Sequence, residues 1–261
     1  MSAVVIKDRL VHYEAMGRGR PVVFIHGWLG SWRYWVPAME GLSVRCRTYA
    51  LDLWGFGDSE RLTCDYAIDS YVVVFEGFLD ALGLARVSLV GHSLGGLVAL
   101  AFAARHPDRA EQVLAVSVPL NGDDITPALA HLSASGRALK RLAARRAGFP
   151  EVTLEVPKTD AEAVVHTVRA TAERDLPTLL PDHPTPVLLL HGEDDPLVRP
   201  PQSDWLAGRD EHLRYISLSE TEHFPMLEQR TKFNRLLTEF LEAGVDLASL
   251  TVREAWRRRL R

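Results

Sequence analysis

The stretch that most constrains this chain is 87–107, "VSLVGHSLGGLVALAFAARHP". An apolar run stops at Gly91, Ser93 stands between small residues, and an Ala-rich segment follows. Glycines at 91, 95 and 96 around one serine mark a sharp turn from a strand into a helix. Such a turn lifts the serine off the carboxyl edge of a sheet and strains its backbone. Side chains two residues to either side would collide with neighbouring elements, which Gly91 and Gly95 avoid, and Gly96 lets the helix lie close to the sheet. The helix N-terminus also sets backbone N–H groups, with their partial positive charge, beside Ser93. A serine hydroxyl is a poor nucleophile unless it is exposed, aimed and next to a base. A tight turn with an idle serine is the competing reading of the same glycines.

The rest of the chain supplies the sheet. Eight strands are predicted at "AVVIK" (3–7), "LVHYEA" (10–15), "PVVFIHG" (21–27), "CRTYALDL" (46–53), "VSLVG" (87–91), "QVLAVSV" (112–118), "PVLLLHG" (186–192) and "LRYISL" (213–218). "GRGRP" makes the turn before the third. Helical patterns occupy about 66–83, 94–105, 201–208 and 228–243. Strands alternating with helices, several of them continuous apolar runs, predict a mostly parallel sheet with helices on both faces. Between strands six and seven the alternation breaks over 121–185, a polar segment of helical rhythm. It reads as a helical cap inserted into a core made of 1–120 and 186–261. A chain of 261 residues with 47% hydrophobic content suffices for one sizeable core of this kind.

Five motifs stand in order along that core: "HGWLG" at 26–30, "DLWGFGDS" at 52–59, "GHSLGG" at 91–96, "HGEDDPLV" at 191–198 and "EHFPMLEQ" at 222–229. With them the chain resembles the α/β-hydrolase family, in its cap-bearing, serine esterase-like branch. The resemblance covers nearly everything outside 121–185. It implies the α/β-hydrolase fold and a triad in the chain order serine, acid, histidine, with Ser93 as nucleophile. His223 follows the last strand and is flanked by Phe224, Pro225 and Met226, an apolar setting that limits water around an imidazole. His26 and His92 lie inside motifs and read as scaffold, His106 ends a helix, and His131, His166 and His183 fall in the insertion.

The acid belongs just past strand seven, where Glu193, Asp194 and Asp195 are available. The resemblance aligns it with Asp195; Asp194 is the runner-up, with a turn-forming carboxylate as its other role. Asp123 and Asp124 follow strand six, where some relatives carry the acid, but they also suit a helix cap. The resemblance places the oxyanion-hole N–H donors at Trp28 and Leu94, each worth on the order of 3 kcal/mol of barrier. Only the backbone of Trp28 is needed, which leaves its indole free to wall a pocket with Phe224 and Met226. Asp52, Gly55 and Gly57 shape a turn beside the site. Trp32, Tyr34 and Trp35 suit either a pocket wall or the core.

Other function classes lack their signatures. There is no GxxxxGK[ST] loop, and "GHSLGG" has the wrong spacing for a dinucleotide fingerprint. No His/Cys/Asp cluster has zinc spacing, so neither a metal nor a cofactor is expected. A net charge of −4 does not suggest a nucleic-acid partner. The stripe of Arg137, Lys140, Arg141, Arg145 and Arg146 and the C-terminal "VREAWRRRLR" read as solvated helix faces. No signal-peptide pattern, no membrane span of roughly 18 apolar residues, and two cysteines (Cys46 and Cys64) read as free thiols together suggest a cytoplasmic protein. The expected activity is cleavage of small to medium carboxylic esters through an acyl-enzyme, without activation at an oil–water interface. The same triad also serves C–C bonds, amides, thioesters, lactones or perhydrolysis. A different class, a non-catalytic small-molecule receptor, uses the same fold.

Overall fold

The computed structural model describes residues 2–61, 66–130, 148–173, 185–201, 212–244 and 246–250. The eight expected strands are present: β1 (Ser2–Ile6), β2 (Arg9–Gly17), β3 (Arg20–Ile25), β4 (Cys46–Leu51), β5 (Val87–His92), β6 (Ala110–Val116), β7 (Val187–Gly192) and β8 (Leu213–Leu218). They form one sheet in the order β1-β2-β4-β3-β5-β6-β7-β8. β1 pairs antiparallel with β2, and β2 with β4. The β1–β2 turn holds Lys7 and Asp8 at φ 48° and 60°, the left-handed pair that matches strand twist in a two-residue hairpin. Every pairing from β4 to β8 is parallel. β5 and β7 are buried at each residue, which a sheet covered on both faces requires and which explains their unbroken apolar runs.

The helices α1 (Val36–Leu42), α2 (Ile68–Ala81) and α3 (Leu94–Arg105) follow β3, β4 and β5. Residues Leu94 to Ala103 of α3 are all buried, as expected of a helix that is apolar all round. Phe75 of α2 meets Phe102 of α3 edge-on at 4.9 Å. A further helix, Arg230–Ala243, brings Phe233 against Trp35. The chain crosses from β4 over β3 to reach β5, so the crevice beyond the carboxyl ends of β3 and β5 is a topological switch point. Open α/β sheets bind ligands at such points. Ser93 and "HGWLG" both lie there.

The described part of the insertion is helical in short pieces: Gly122–Asp124, Pro127–Ala130, Pro150–Thr153, Val156–Lys158 and Ala161–Ala172. Polar contacts hold it to the core. Arg33 Nε donates to Glu155 at 2.7 Å, Lys158 Nζ to Asp58 at 2.8 Å, Tyr66 OH to Asp160 at 2.7 Å, and the Asp160 amide to Gly55 O at 2.7 Å.

Two differences from the sequence reading concern helices. The segment Trp32–Leu42, read without secondary structure, forms a 3-10 turn (Trp32–Trp35) that runs into α1. Two turns are too short to establish a period, and Pro37 looks like a breaker although the first turn of a helix accepts it. The helix expected at 201–208 lies outside the described residues apart from Pro201, as do the stripe from Arg137 to Arg146, Cys64 and the C-terminal basic segment. Cys46 is a free, buried thiol that burial pushes above its ordinary pKa. Among the described residues no helix is long and apolar enough to cross a membrane.

Candidate active site

Ser93 links β5 to α3 with φ 52° and ψ −115°, a conformation that costs a non-glycine residue on the order of 1–3 kcal/mol. Its surroundings enforce the strain. The Ser93 amide donates to Val116 O at 2.8 Å, and Ser93 O accepts the amides of Gly96 and Leu97 at 3.0 and 3.2 Å. A Cβ on Gly91 would stand 2.4 Å from Gly95 O, and one on Gly95 would stand 2.2 Å from Ile25 O. The glycines are therefore required by close backbone approach. Ser93 Oγ is buried and makes no hydrogen bond. The amide of Leu94 opens α3, where first-turn N–H groups have no intrahelical acceptor.

The loops after β7 and β8 meet closely. A Cβ on Gly192 would lie 2.0 Å from Glu222 O, and the Asp194 amide donates to Thr221 O at 2.9 Å. That contact carries Asp195 Oδ2 to 2.8 Å from His223 Nδ1. The other oxygen, Oδ1, accepts the amides of Leu197 and Val198 at 2.8 and 3.0 Å. Burial pushes the Asp195 carboxyl up, but the charge and hydrogen bond of His223 and the two amides outweigh it and hold the pKa at about 2. A carboxylate at Nδ1 fixes the proton there and leaves Nε2 with its lone pair. His223 itself is buried.

Of the alternatives, Asp194 is exposed. Asp124 Oδ2 accepts the amides of Leu120 and Asn121 at 2.9 and 3.1 Å and closes a capping box with Asn121. Asp123 donates its amide to the same Asn121 side chain and accepts Arg199 at its carbonyl at 2.9 Å. The structure thus brings Asp195 to His223 and spends Asp124 on a local turn.

The loop after β3 holds Leu29 at φ 61° next to Trp28. The Trp28 indole is anchored: Nε1 donates to Thr167 Oγ1 at 2.7 Å, and that hydroxyl donates to Ala163 O at 2.6 Å. The helix Ala161–Ala172 therefore grips the side chain of the expected oxyanion donor. The same indole helps line a small cavity with Leu29, Leu129, Val152, Leu197, His223 and Phe224. It holds about 10 Å³, room for roughly one water molecule. Met226, expected beside Phe224, is buried and is not among the described residues of that lining.

"DLWGFGDS" is built around Asp52. Its Oδ1 accepts the Trp32 amide at 2.8 Å, while Oδ2 accepts the Asp58 amide at 2.9 Å and lies 3.0 Å from His12 Nδ1. Gly57, at φ 53°, sits where a Cβ would fall 2.3 Å from that carboxylate. Among the described residues His12, Asp52 and Asp58 are the one group with three converging ligand atoms. Their carboxylates already face backbone amides, His12 and Lys158. His26 accepts the Leu53 amide at Nε2 (2.9 Å) and donates from Nδ1 to Gly27 O (2.8 Å). His92, which sequence reasoning left as scaffold, and Tyr34, left open between pocket wall and core, stand within this site. Tyr34 OH lies 3.0 Å from His92 Nδ1, and the His92 ring centre is 4.7 Å from that of His223.

Comparison with known proteins adds a family. Residues 20–167 match the family model described as alpha/beta hydrolase fold. The chain is 30% identical to 2-hydroxy-6-oxo-2,4-heptadienoate hydrolase of Pseudomonas putida, covering 87% of this chain and 91% of that one. It is 28% identical to pimeloyl-[acyl-carrier protein] methyl ester esterase of Nitrosomonas europaea, over 85% and 96% of the two chains. Among solved structures, the meta-cleavage product hydrolase of Pseudomonas fluorescens IP01 superposes with a TM-score of 0.77 at 26% identity, covering 93% of this chain and 97% of its own.

Proposed function

The chain belongs to the alpha/beta hydrolase family, and from that premise we propose that it is a serine hydrolase cleaving small to medium carboxylic esters through an acyl-enzyme. Ser93 Oγ attacks the ester carbonyl while His223 Nε2 takes its proton. Asp195 keeps the Nδ1 proton in place and stabilises the imidazolium that forms. The amides of Trp28 and Leu94 receive the charge that develops on the carbonyl oxygen. His223 then protonates the departing alcohol, and a water that it activates releases the acid from Ser93. Unliganded sites commonly hold catalytic hydrogen bonds long and tighten them when substrate binds, which accommodates an unbonded Ser93 Oγ.

The observation that carries this reading is the 2.8 Å bond from His223 Nδ1 to Asp195, in a site that also holds a serine in a strained turn. The residues 121–185 act as a cap in this reading, which is supported by Leu129 and Val152 reaching the small cavity beside His223. A second reading keeps the three residues and changes the bond, to a C–C bond beside a ketone. What favours it is the identity with the heptadienoate hydrolase. Turnover of a panel of neutral esters, lactones, amides and dienoate ketones tests the choice. Esters turning over fastest supports the proposal, and dienoate ketones alone being cleaved would replace it with the second reading.

A further inference from the structure

A single hydrogen-bond chain ties together the three loops that the proposed chemistry needs in register. The Gly27 amide, next to Trp28, donates to Tyr34 OH at 2.5 Å. Tyr34 OH lies 3.0 Å from His92 Nδ1, and His92 Nε2 lies 2.8 Å from His223 O. Tyr34 and His92 are both fully buried. Chemistry then fixes every proton. The carbonyl of His223 can only accept, so His92 Nε2 carries a hydrogen. His92 Nδ1 therefore presents its lone pair, and the Tyr34 hydroxyl, already accepting from Gly27, donates to it. No donor or acceptor in the chain is left over.

The packing admits no slack. A Cβ on Gly27 would lie 2.7 Å from Ser93 Cβ and 2.8 Å from His92 Nδ1, and one on Gly30 would lie 2.2 Å from the Tyr34 ring. Both glycines of "HGWLG" are thus explained by the room that Tyr34, His92 and Ser93 occupy. The titratable groups around His92 are His223, Asp195 and His26. Burial first, then the charge of His223, pushes His92 well below its ordinary pKa, and burial pushes the Tyr34 phenol up. Both keep the neutral form that the chain requires.

We propose that Tyr34 and His92 are positioning residues: through this chain they hold the backbone of His223 and the oxyanion loop in fixed register with Ser93. The proposal rests on the reading of His223 as general base. Neither residue touches the reacting atoms; each acts through the loop that it holds. A polar interior residue kept only for stability would instead leave the chemistry of the folded enzyme unchanged.

The test has two arms. In the first, ester kinetics are compared for wild type, His92→Phe, His92→Gln and Tyr34→Phe, each checked for a cooperative melt. A misplacement of order an ångström costs roughly 100-fold in rate, so His92→Phe is expected to lose about that factor in kcat with KM within about 2-fold. His92→Gln, which retains a donor for His223 O, recovers most of the loss. A folded His92→Phe with kcat within about 2-fold of wild type overturns the proposal. Should that variant not fold, Tyr34→Phe carries the comparison, with a loss of about 10-fold expected and an unchanged kcat overturning it. The second arm is ¹⁵N NMR of the wild-type imidazoles between about pH 5 and 9. His92 is expected neutral, protonated at Nε2 and non-titrating; an Nδ1-protonated or titrating His92 overturns the chain. This arm needs no turnover, so failure of the esterase reading and failure of the chain are told apart.

Discussion

Replacing Thr167 by valine removes one oxygen and keeps the shape, and the consequence can be worked from the contacts. The Trp28 indole is 4% exposed and its N–H has Thr167 Oγ1 as acceptor at 2.7 Å. Valine leaves that donor buried and unpaired, which costs about 1–3 kcal/mol. The carbonyl of Ala163 loses only an extra, back-bonded partner within its own helix, a small effect. Thr167→Ser keeps the acceptor and gives up a methyl group, about 1 kcal/mol. Urea denaturation should therefore rank wild type above serine and serine above valine. Kinetics add a second expectation, because the Trp28 amide is proposed to bind the oxyanion. Outright removal of such a donor costs 10²–10³ in kcat, so a loosened one should cost about 10-fold. Thr167→Val matching wild type within about 0.5 kcal/mol and in kcat would refute the idea that the insertion holds this loop.

Three further outcomes follow from the same contacts. Asp195→Asn should cripple turnover by about 10⁴ through the wrong tautomer, while the exposed Asp194→Asn stays within about 10-fold; ester kinetics on both variants decide the ranking. Asp195 also sets an acid limit. Its pKa is about 2 in the fold against an ordinary 3.8, so its contribution of about 2 kcal/mol is complete above the ordinary value and lost as pH falls through about 2. Denaturation at stepped pH should show Asp195→Asn losing correspondingly less stability than wild type over that window. Gly95→Ala drives a methyl group to 2.2 Å from Ile25 O and 2.5 Å from His26 O, so the turn or β3 must shift; a cost near 3 kcal/mol and loss of most ester turnover are expected in melting and rate measurements.

How much of this was legible beforehand depends on the range of the interaction. The eight strands announce themselves as apolar runs because both faces of the sheet are buried. The Ser93 turn is legible because its glycines answer to clashes, two of them within the segment 91–96 itself. Motif order alone brought out Asp195 and His223, whose bond spans 28 residues. What stayed hidden is side-chain pairing between elements remote in sequence. Nothing in "HGWLG" signals that Trp28 bonds a threonine 139 residues away, and nothing in "GHSLGG" signals that His92 reaches the backbone of residue 223. α1 hid for lack of length.

The most direct test of the central claim, that Ser93 is the nucleophile, is a fluorophosphonate reaction followed by peptide mass spectrometry. The phosphonyl group should appear once, on the peptide that contains Ser93, and ester turnover should vanish in step with its appearance. Ser93→Ala should be folded, unlabelled and inactive. An adduct on another residue, or near-native ester turnover by Ser93→Ala, would contradict the account.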